Sequence, residues 1–290
     1  MLNYTYLKNL VRGEVRHHFS RRDTMLYALG VGLGADPTDS RQLRFVYEKD
    51  LQALPTMASV LCWPRFSFSD PRTGIDYLRL VHGEQHTRLF KPLPVEGELV
   101  ARHSIETIHD RGAGKGAIMV VLRELFDTNG ERVAEGRQLV FMRGDGGFSE
   151  ASGSTSDPKP ATLPQIPARE PDFEVELNSL PQAALIYRLN GDYNPLHVDP
   201  QVAQRAGFDR PILHGLCSYG MAAHAVLRAC CDYDASRITS VAMRFTAPVF
   251  PGECLRFSLW RDGDTRLQLR AHVDARQVIV LDSGLIELRP

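Results

Sequence analysis

Residues 216–231 of this chain read LCSYGMAAHAVLRACC, and this stretch decides the fold that the sequence predicts. Apolar residues recur in it at spacings of 3, 4, 3 and 4, which places them along one face of an α-helix. The residues of this face are Leu216, Tyr219, Ala223, Val226 and Cys230. The opposite face is also small or apolar, so we expect the helix to be buried on all sides.

The segments around this helix alternate in the manner of β-strands. One short strand, 172–177, and a short helix, 200–206, precede it. Four strands follow, separated by Pro-Gly, Asp-Gly and Asp-Ala turns, at residues 238–245, 254–260, 266–273 and 277–288. A long buried helix followed by an antiparallel meander predicts an α+β fold in which a sheet wraps around the helix.

The first half of the chain shows the same order of elements. A helix is predicted near residues 50–61, and strands are predicted near residues 78–81, 99–109, 117–126 and 132–142. Short matches, such as Gly97-Glu98 with Gly252-Glu253, recur about 155 to 160 residues apart. This spacing favours a duplicated fold over two unrelated ones.

One segment divides the two halves. Residues 144–171 are rich in Gly, Ser, Pro and Asp and keep no apolar period, which predicts a solvated linker. The chain is therefore divided into an N-terminal repeat, residues 1–143, and a C-terminal repeat, residues 172–290.

The composition excludes several classes of protein. The 290 residues include 34 Lys or Arg and 35 Asp or Glu, a net charge of −1, which argues against a nucleic-acid-binding surface and against disorder. No apolar run approaches the ~20 residues of a membrane span, and neither a secretory signal nor a peroxisomal tripeptide is expected. The five cysteines are odd in number and scattered, so we expect a reducing compartment, the cytoplasm.

Residues 187–220 contain the side chains best suited to chemistry. Asp192 and His197 lie five residues apart, in a stretch that glycine and proline keep out of regular structure. In a tight turn, the carboxylate and the imidazole can share one water molecule, deprotonate it and return a proton nearby, with Asn194 bonded to either group. The alternative is structural: Asp192 caps an Asx turn, and His197 is a hydrogen-bonded, partly buried histidine.

Gly215 lies directly before the long helix. A helix N-terminus offers unpaired N–H groups and a partial positive charge, and glycine lets a ligand approach the backbone closely. This N–H can therefore stabilise an oxyanion that forms on a bound carbonyl group. The alternative is that Gly215 only opens a helix beside a crowded sheet.

The order of residues from Tyr187 onward resembles the signature of the type 2 (R-specific) enoyl-CoA hydratases, the MaoC-like dehydratases. The matching residues are Tyr187, Gly191, Asp192, Asn194, Pro195, Leu196, His197 and Ala203. Other segments resemble the long, two-repeat members, which include the hydratase unit of peroxisomal multifunctional enzymes. These segments are residues 27–32, 53–56, 82–85, 91–94 and 146–148, with Arg244-Phe245, Pro248 and Pro251-Gly252.

The resemblance implies a double hot-dog fold, in which each of two repeats wraps a sheet around a long central helix. It implies reversible addition of water to trans-2-enoyl-CoA, which gives (3R)-3-hydroxyacyl-CoA. The implied partner is an acyl-CoA thioester, with no metal or other cofactor, no nucleic acid and no membrane. The oligomeric state is left open between a monomer and the homodimer that is common in the family.

The resemblance also implies roles for single residues. Asp192 and His197 resemble the catalytic dyad, Asn194 the residue that orients it, and Gly215 the oxyanion-hole donor. Other positions resemble acyl-CoA contacts, with an arginine where some relatives have lysine. These positions are His82, Gly83, Arg111, Tyr193, Pro195, Leu196 and Phe245.

The repeat provides an internal check on the number of active sites. About 160 residues before Asp192 and His197 stand Gly32 and Pro37, and neither can act as an acid or a base. One active site per chain is therefore expected. The first repeat, released from catalysis, is expected to supply the acyl pocket.

The sequence allows three other interpretations, one of a metal site and two of function. A zinc site could use cysteines and histidines of the long helix, but their spacing matches no standard pattern. The residues in question are His214, Cys217, His224, Cys230 and Cys231. The alternative functions are a hot-dog acyl-CoA thioesterase, which would release free CoA, and a silent acyl-CoA-binding protein, which would bind without turnover.

Overall fold

The computed structural model describes residues 1–10, 13–64 and 68–290. Ten strands in this part of the chain form one antiparallel sheet. They are β1 Val15–Phe19, β2 Leu80–Leu89, β3 Gly97–Asp110, β4 Ala117–Phe126, β5 Arg132–Met142, β6 Phe173–Asn178, β7 Ile238–Phe245, β8 Cys254–Arg261, β9 Arg266–Val273 and β10 Val278–Leu288. Their order across the sheet is β1-β3-β4-β5-β2-β7-β10-β9-β8-β6.

The strand order repeats on either side of the central β2–β7 pair. Outward from this pair, one half reads β2-β5-β4-β3-β1 and the other reads β7-β10-β9-β8-β6, so each strand corresponds to the one five places later. The predicted duplication of an α+β fold is confirmed. The sequence patterns missed β1 and most of β2, because VRHHF and LVHGEQHTRL carry too many polar residues to show apolar alternation.

Seven α-helices accompany the sheet in the described residues. They are α1 Tyr4–Lys8, α2 Arg21–Gly30, α3 Ser40–Leu43, α4 Phe148–Ser152, α5 Ala183–Tyr187, α6 Pro200–Arg205 and α7 Gly215–Cys230. Every residue of α7 from Leu216 to Leu227 is buried, which confirms the helix predicted to be covered on all sides. Within the described ranges, no helix has the length and apolar character needed to cross a membrane.

Glycine allows α7 to lie close to the end of α2. A Cβ atom at Gly220 would lie 2.5 Å from the Val31 side chain, so no larger residue fits at this crossing. On the neighbouring α5, the Tyr187 ring packs against the Tyr27 ring of α2, with centroids 5.9 Å apart. Tyr27 and Tyr187 stand 160 residues apart, which is the spacing of the repeat. Their contact packs the two halves together.

The first repeat has no counterpart of α7 among its described residues. The helix predicted near residues 50–61 was wrong: this segment forms only a short 3-10 turn, Pro55–Ser59. The expectation of a long central helix in each repeat therefore holds for the second repeat alone.

Two features end this 3-10 turn, the backbone of Cys62 and the side chain of Arg123. Cys62 adopts a left-handed backbone, with φ at 56°, which is incompatible with a continuing helix. In addition, the carbonyls of Ser59 and Leu61 accept hydrogen bonds from the Arg123 guanidinium, at 2.6 and 2.8 Å. Carbonyls at the end of a helix need such partners, and here a side chain of β4 supplies them.

The segment between the repeats, residues 144–171, is not solvated throughout, contrary to what its composition predicts. It contains α4, whose Phe148 is buried against the first repeat. The Asp157 carboxylate accepts hydrogen bonds from the Tyr4 hydroxyl and the Ile108 N–H, both at 2.7 Å. Composition could not reveal these contacts, because their partners are distant in the sequence.

An ion pair between a buried glutamate and a half-buried arginine lies on the seam between the repeats. Glu84 of β2 stands opposite Arg244 of β7, and its Oε1 accepts Nε and Nη2 of that arginine at 2.9 and 2.7 Å. The other carboxylate oxygen lies 3.1 Å from Nε2 of His86. Burial opposes ionisation of Glu84, but the hydrogen bonds from His86 and Arg244 outweigh it and hold its pKa below the ordinary value.

Candidate active site

A cleft of about 650 Å³ opens at the end of the seam where β2 begins and β7 ends. Both repeats line it, and most of the lining is apolar. Apolar residues include Trp63, Leu80, Val81, Phe208, Leu213, Phe245, Val249 and Leu281. Polar residues include His82, Gln138, Arg143, Asp192, Asn194, His197 and Ser218. An apolar cleft with a few convergent polar groups is the usual form of a small-molecule site.

A sharp turn brings the catalytic candidates into this cleft. Gly191 has a left-handed backbone with φ at 108°, and a Cβ atom there would lie 2.8 Å from the Trp63 indole. Only glycine fits both conditions. The turn directs Asp192, the next residue, into the cleft.

Two consecutive Asx interactions shape the loop after this turn. Asp192 Oδ1 accepts the Asn194 N–H at 3.2 Å, and Asn194 Oδ1 accepts the Leu196 N–H at 3.1 Å. The second interaction caps a 3-10 turn, Pro195–His197. The structural alternative for Asp192 is therefore realised, and it coexists with the functional one, since the same loop places Asp192 and His197 in the cleft.

The hydrogen bonding of His197 decides its tautomer. Its Nδ1 lies 2.9 Å from the carbonyl of Ile212, and because a carbonyl can only accept, Nδ1 carries the hydrogen. Nε2 then holds a lone pair. Burial lowers the pKa of His197 below 6.5, so the ring is neutral at pH 7 and Nε2 can accept a proton.

His214, the residue before α7, contacts both the His197 ring and the backbone of Asp192 and so holds them in position. Its ring stacks on that of His197, with centroids 3.8 Å apart, and its Nε2 donates to the carbonyl of Asp192 at 3.2 Å. Burial, with a contribution from His197, lowers the pKa of His214 to about 4, so it is neutral as well. The sequence analysis considered His214 only as a zinc ligand, although its position beside Gly215 was a signal for a site residue.

Polar atoms of Asp192, His197 and His214 lie within 4.8 Å of one another, a grouping that could in principle hold a metal ion. The two rings are inclined by only 27°. Rings stacked with centroids 3.8 Å apart and so small an inclination have planes that do not converge on one point about 2.0–2.1 Å from each nitrogen, as zinc requires. The geometry suits a shared water molecule better than a metal ion.

Gly215 opens α7 at the edge of the same cleft. The first N–H groups of a helix have no acceptor within it, and the helix dipole adds a partial positive charge there. A Cβ atom at Gly215 would lie 3.2 Å from the Phe245 ring, so a side chain would crowd the cleft. The structure thus places the first N–H group of α7 on the same cleft as Asp192 and His197.

Comparison with known proteins identifies the family. Residues 17–144 match the MFE-2 hydratase 2 N-terminal domain, and residues 162–282 match the MaoC like domain. The 3-hydroxyacyl-thioester dehydratase Y of Mycobacterium tuberculosis is 42% identical over 92% of this chain and 91% of its own length. The peroxisomal enoyl-CoA hydratase 2 of Arabidopsis thaliana is 37% identical over 95% and 92%. The chain belongs to the MaoC-like hydratase 2 family.

Solved structures agree with membership of the hydratase 2 family. A MaoC-like dehydratase from Phytophthora capsici superposes with a TM-score of 0.85 at 32% identity, over 99% of each chain. A Mycobacterium tuberculosis protein described as having a double hotdog fold superposes with a TM-score of 0.54 at 15% identity, over 94% of this chain and 93% of its own. The second match supports the fold alone. The double hot-dog class expected from the sequence is confirmed.

The residues that resemble acyl-CoA contacts of the hydratase 2 family fall into two groups. His82, Leu196 and Phe245 line the cleft, and the His82 ring meets Phe245 edge-on at 4.8 Å. In contrast, Gly83 faces the Phe141 ring, which lies 2.4 Å from where its Cβ would stand. The Phe141 ring therefore fills the space that a side chain at position 83 would need, and contact of Gly83 with acyl-CoA stays a prediction.

The remaining three predicted contacts lie outside the lining of the cleft. Arg111 is exposed in the turn between β3 and β4, and Pro195 is exposed at the start of its 3-10 turn. Tyr193 is 58% exposed and lies under the Arg188 guanidinium. Contact of these residues with acyl-CoA stays a prediction.

Several residues that line the cleft were not predicted from the sequence. Trp63 and Gln138 line the cleft from the first repeat, and Ser218 lines it from the first turn of α7. Three buried polar atoms have no hydrogen-bond partner among the described residues: the indole Nε1 of Trp63, Nε2 of His82 and the Ser218 hydroxyl. Only Ser218 carried a signal, since it lies one helical turn after Gly215.

Proposed function

We propose that this chain is an (R)-specific 2-enoyl-CoA hydratase, which reversibly adds water to trans-2-enoyl-CoA and gives (3R)-3-hydroxyacyl-CoA. The observation that carries the proposal is the convergence of Asp192, His197 and the start of α7 at Gly215 on one largely apolar cleft. Relatives named enoyl-CoA hydratase 2 and 3-hydroxyacyl-thioester dehydratase, which span nearly the whole chain, support it. The (R) configuration rests on the family and not on the geometry.

The dyad supplies proton transfer. A water molecule between the Asp192 carboxylate and His197 Nε2 can donate a hydrogen bond to each, since both atoms are acceptors. As the water oxygen bonds to the β-carbon, one of the two groups takes its proton, and a proton is then delivered to the α-carbon. One water thus provides both the hydroxyl group and the new hydrogen, and the reaction balances without a cofactor.

Gly215 supplies charge stabilisation. Attack on the β-carbon moves electron density onto the thioester oxygen, which becomes enolate-like. A backbone N–H fixed at the start of α7 can meet this charge without reorganisation, and the helix dipole adds to the effect. The burial of α7 along its length holds this donor rigidly in place.

Unpartnered polar atoms around the cleft support a polar ligand there. Buried polar groups almost always have hydrogen-bond partners. His82 Nε2 and the Ser218 hydroxyl line the cleft without one. A bound thioester and its water would supply partners for both.

A hydration assay with trans-2-enoyl-CoA thioesters from short to long chains tests the proposal. The enoyl absorbance should fall, and chiral analysis should identify the (3R) product. An (S) product, or no reaction at any chain length, would contradict the proposal. Release of free CoA would indicate a thioesterase, and binding without turnover would indicate a silent acyl-CoA-binding protein.

The compartment and the assembly are proposed on separate grounds. All five cysteines are free, and Cys62, Cys217 and Cys231 are buried, which suits a reducing location such as the cytoplasm. Some relatives carry peroxisomal names, so organelle imaging of the tagged protein is the direct test. A homodimer remains a prediction for sedimentation analysis, and an unchanged rate in the presence of a chelator is expected if no metal takes part.

A further inference from the structure

A second, smaller cavity of about 30 Å³ lies behind the cleft on the side of the first repeat. The two spaces share four lining residues, Trp63, His82, Gln138 and Leu216, so they adjoin. The volume suffices for about two water-sized groups, which is also the size of the two oxygens of a carboxylate.

The lining of this cavity is mostly apolar in surface, but it includes the buried guanidinium of Arg123. Along β4 it includes Val121 and Arg123, and along β5 it includes Gly136 and Gln138. These pairs are alternate residues on neighbouring strands, so they point to one side of the sheet. The other polar residues of the lining are His82 and Gln85 of β2, His103 of β3 and Ser59 of the 3-10 turn.

Arg123 carries a buried charge that no acid balances. Its guanidinium donates only to the Ser59 and Leu61 carbonyls, at 2.6 and 2.8 Å, and no described carboxylate forms an ion pair with it. Residues 11–12 and 65–67, which the structure does not describe, include no Asp or Glu. Buried charges are ordinarily paired, because removing an ion from water is costly.

Arg123 and Trp63, which both line this cavity, have N–H groups without an acceptor among the described residues. Arginine has five N–H groups, and two bonds to carbonyls leave others for a ligand. The Trp63 Nε1–H, which can only donate, is buried without a partner between the two spaces. Water would satisfy these donors, but only an anion would also balance the charge of Arg123.

We propose that this small cavity receives the far end of the acyl group and selects 2-enoyl-CoA thioesters whose chain ends in a carboxylate. The inference rests on the proposed hydratase function and adds the substrate class. With the thioester at Gly215, the chain runs past His82 and Leu216, and the terminal carboxylate pairs with Arg123.

The test compares two series of trans-2-enoyl-CoA thioesters matched in chain length, one ending in a methyl group and one in a carboxylate. In the wild-type protein, kcat/KM at the length that reaches the cavity should favour the carboxylate by about 10-fold or more. This comparison needs no variant, so it holds even if Arg123 cannot be replaced. A methyl end preferred at every length would mean that the cavity holds water only, and would overturn the inference.

Variants assign the preference to one side chain. Arg123→Gln should abolish it, while Arg123→Lys, which keeps the charge, should retain part of it. Arg137→Gln is the matched control, because Arg137 lies between Gly136 and Gln138 on β5 and points to the opposite face, where it pairs with Glu106. Loss of the preference in Arg137→Gln, or its persistence in a folded Arg123→Gln protein, would contradict the assignment.

The two proposals fail in different ways. If no thioester of either series is hydrated, the hydratase function and the inference fall together. If methyl-ended thioesters are hydrated and carboxylate-ended ones gain no advantage, the function stands and this inference alone is overturned.

Discussion

The two repeats share one strand order but differ in the layer that covers it. In the second repeat, α7 lies on the sheet, and the buried residues of β9 that face the core are Leu267, Leu269, Ala271 and Val273. In the first repeat, the 3-10 turn Pro55–Ser59 takes the place of a helix, and Arg123 of β4 holds its end. The comparison teaches that duplication kept the sheet and changed what lies on it.

This difference separates the two tasks of the site. A long buried helix provides a fixed N-terminus with free donors, so the second repeat can stabilise developing charge. Without such a helix, the first repeat leaves space beside its sheet, and Trp63, His82 and Gln138 line that space. Under the proposed function, the chemistry is expected in the second repeat, and substrate selection is expected to involve the first.

The largest effect should come from the dyad, which has no counterpart in the first repeat. Asp192→Asn and His197→Gln should each lower turnover by about 10²–10⁴-fold, because each removes a group that moves a proton. Steady-state kinetics, with circular dichroism to verify the fold, measure this. The double variant should lose far less than the product of the two, since both groups act on one water. Near-normal activity of either single variant would remove that residue from the dyad.

The pH profile sharpens the same point. Burial lowers the pKa of His197, so the neutral ring that accepts a proton persists below pH 6.5. In the wild type, kcat/KM should therefore decrease only at pH values below 6.5. In His197→Gln, this decrease should shift or disappear. An acid limb well above pH 6.5 would show that another group controls the rate.

The next effect tests whether the start of α7 is the reacting end of the cleft. Gly215→Val should lower kcat by about 10²-fold or more, because its Cβ would stand 3.2 Å from the Phe245 ring and its methyl groups would crowd the thioester. Gly215→Ala keeps the same N–H and adds less bulk, so its loss should be smaller. Full activity in the valine variant would place the thioester elsewhere.

The seam that joins the repeats should show a moderate effect on stability. Glu84→Gln removes the buried carboxylate charge that pairs with Arg244. The variant should have a free energy of unfolding at pH 7 that is lower by about 2 kcal/mol. Because the pKa of Glu84 is depressed in the folded protein, its contribution is present above the unfolded pKa and is lost as pH falls through the folded one. Urea denaturation at a series of pH values should show that the difference in unfolding free energy between wild type and variant becomes smaller in acid. A difference that stays constant with pH would indicate that it arises from packing.

The smallest effect is expected in the first repeat, at Arg111. It is exposed and lies outside the cleft, so Arg111→Ala should raise KM for the CoA thioester by about 3-fold at most and leave kcat unchanged. Arg111→Lys, which keeps the positive charge, should behave as the wild type. A large fall in kcat would give the first repeat a part in the chemistry and break the comparison.

Much of the second repeat could be predicted from its sequence. The periodicity between Leu216 and Cys230 predicted α7 to within a residue, and β7 and β9 were predicted with their observed bounds. The polar strands β1 and β2 were beyond such reasoning, because hydrogen bonds to neighbouring strands define them more than apolar alternation does. The missing helix near residues 50–61 was also unpredictable, since Arg123 of β4 ends that turn from a distance in the sequence.

The sequence by itself determined the strands with apolar alternation, the buried helix and the loop from Gly191 to His197, because each depends on local periodicity or local turn chemistry. Only the tertiary structure decided which partners these elements meet. It stacked His214 on His197, brought Trp63 against Gly191 and left Arg123 buried with no acid paired to it among the described residues. The physical reason is that burial, hydrogen-bond partners and unbalanced charge depend on residues far apart in the chain, and only packing brings those residues together.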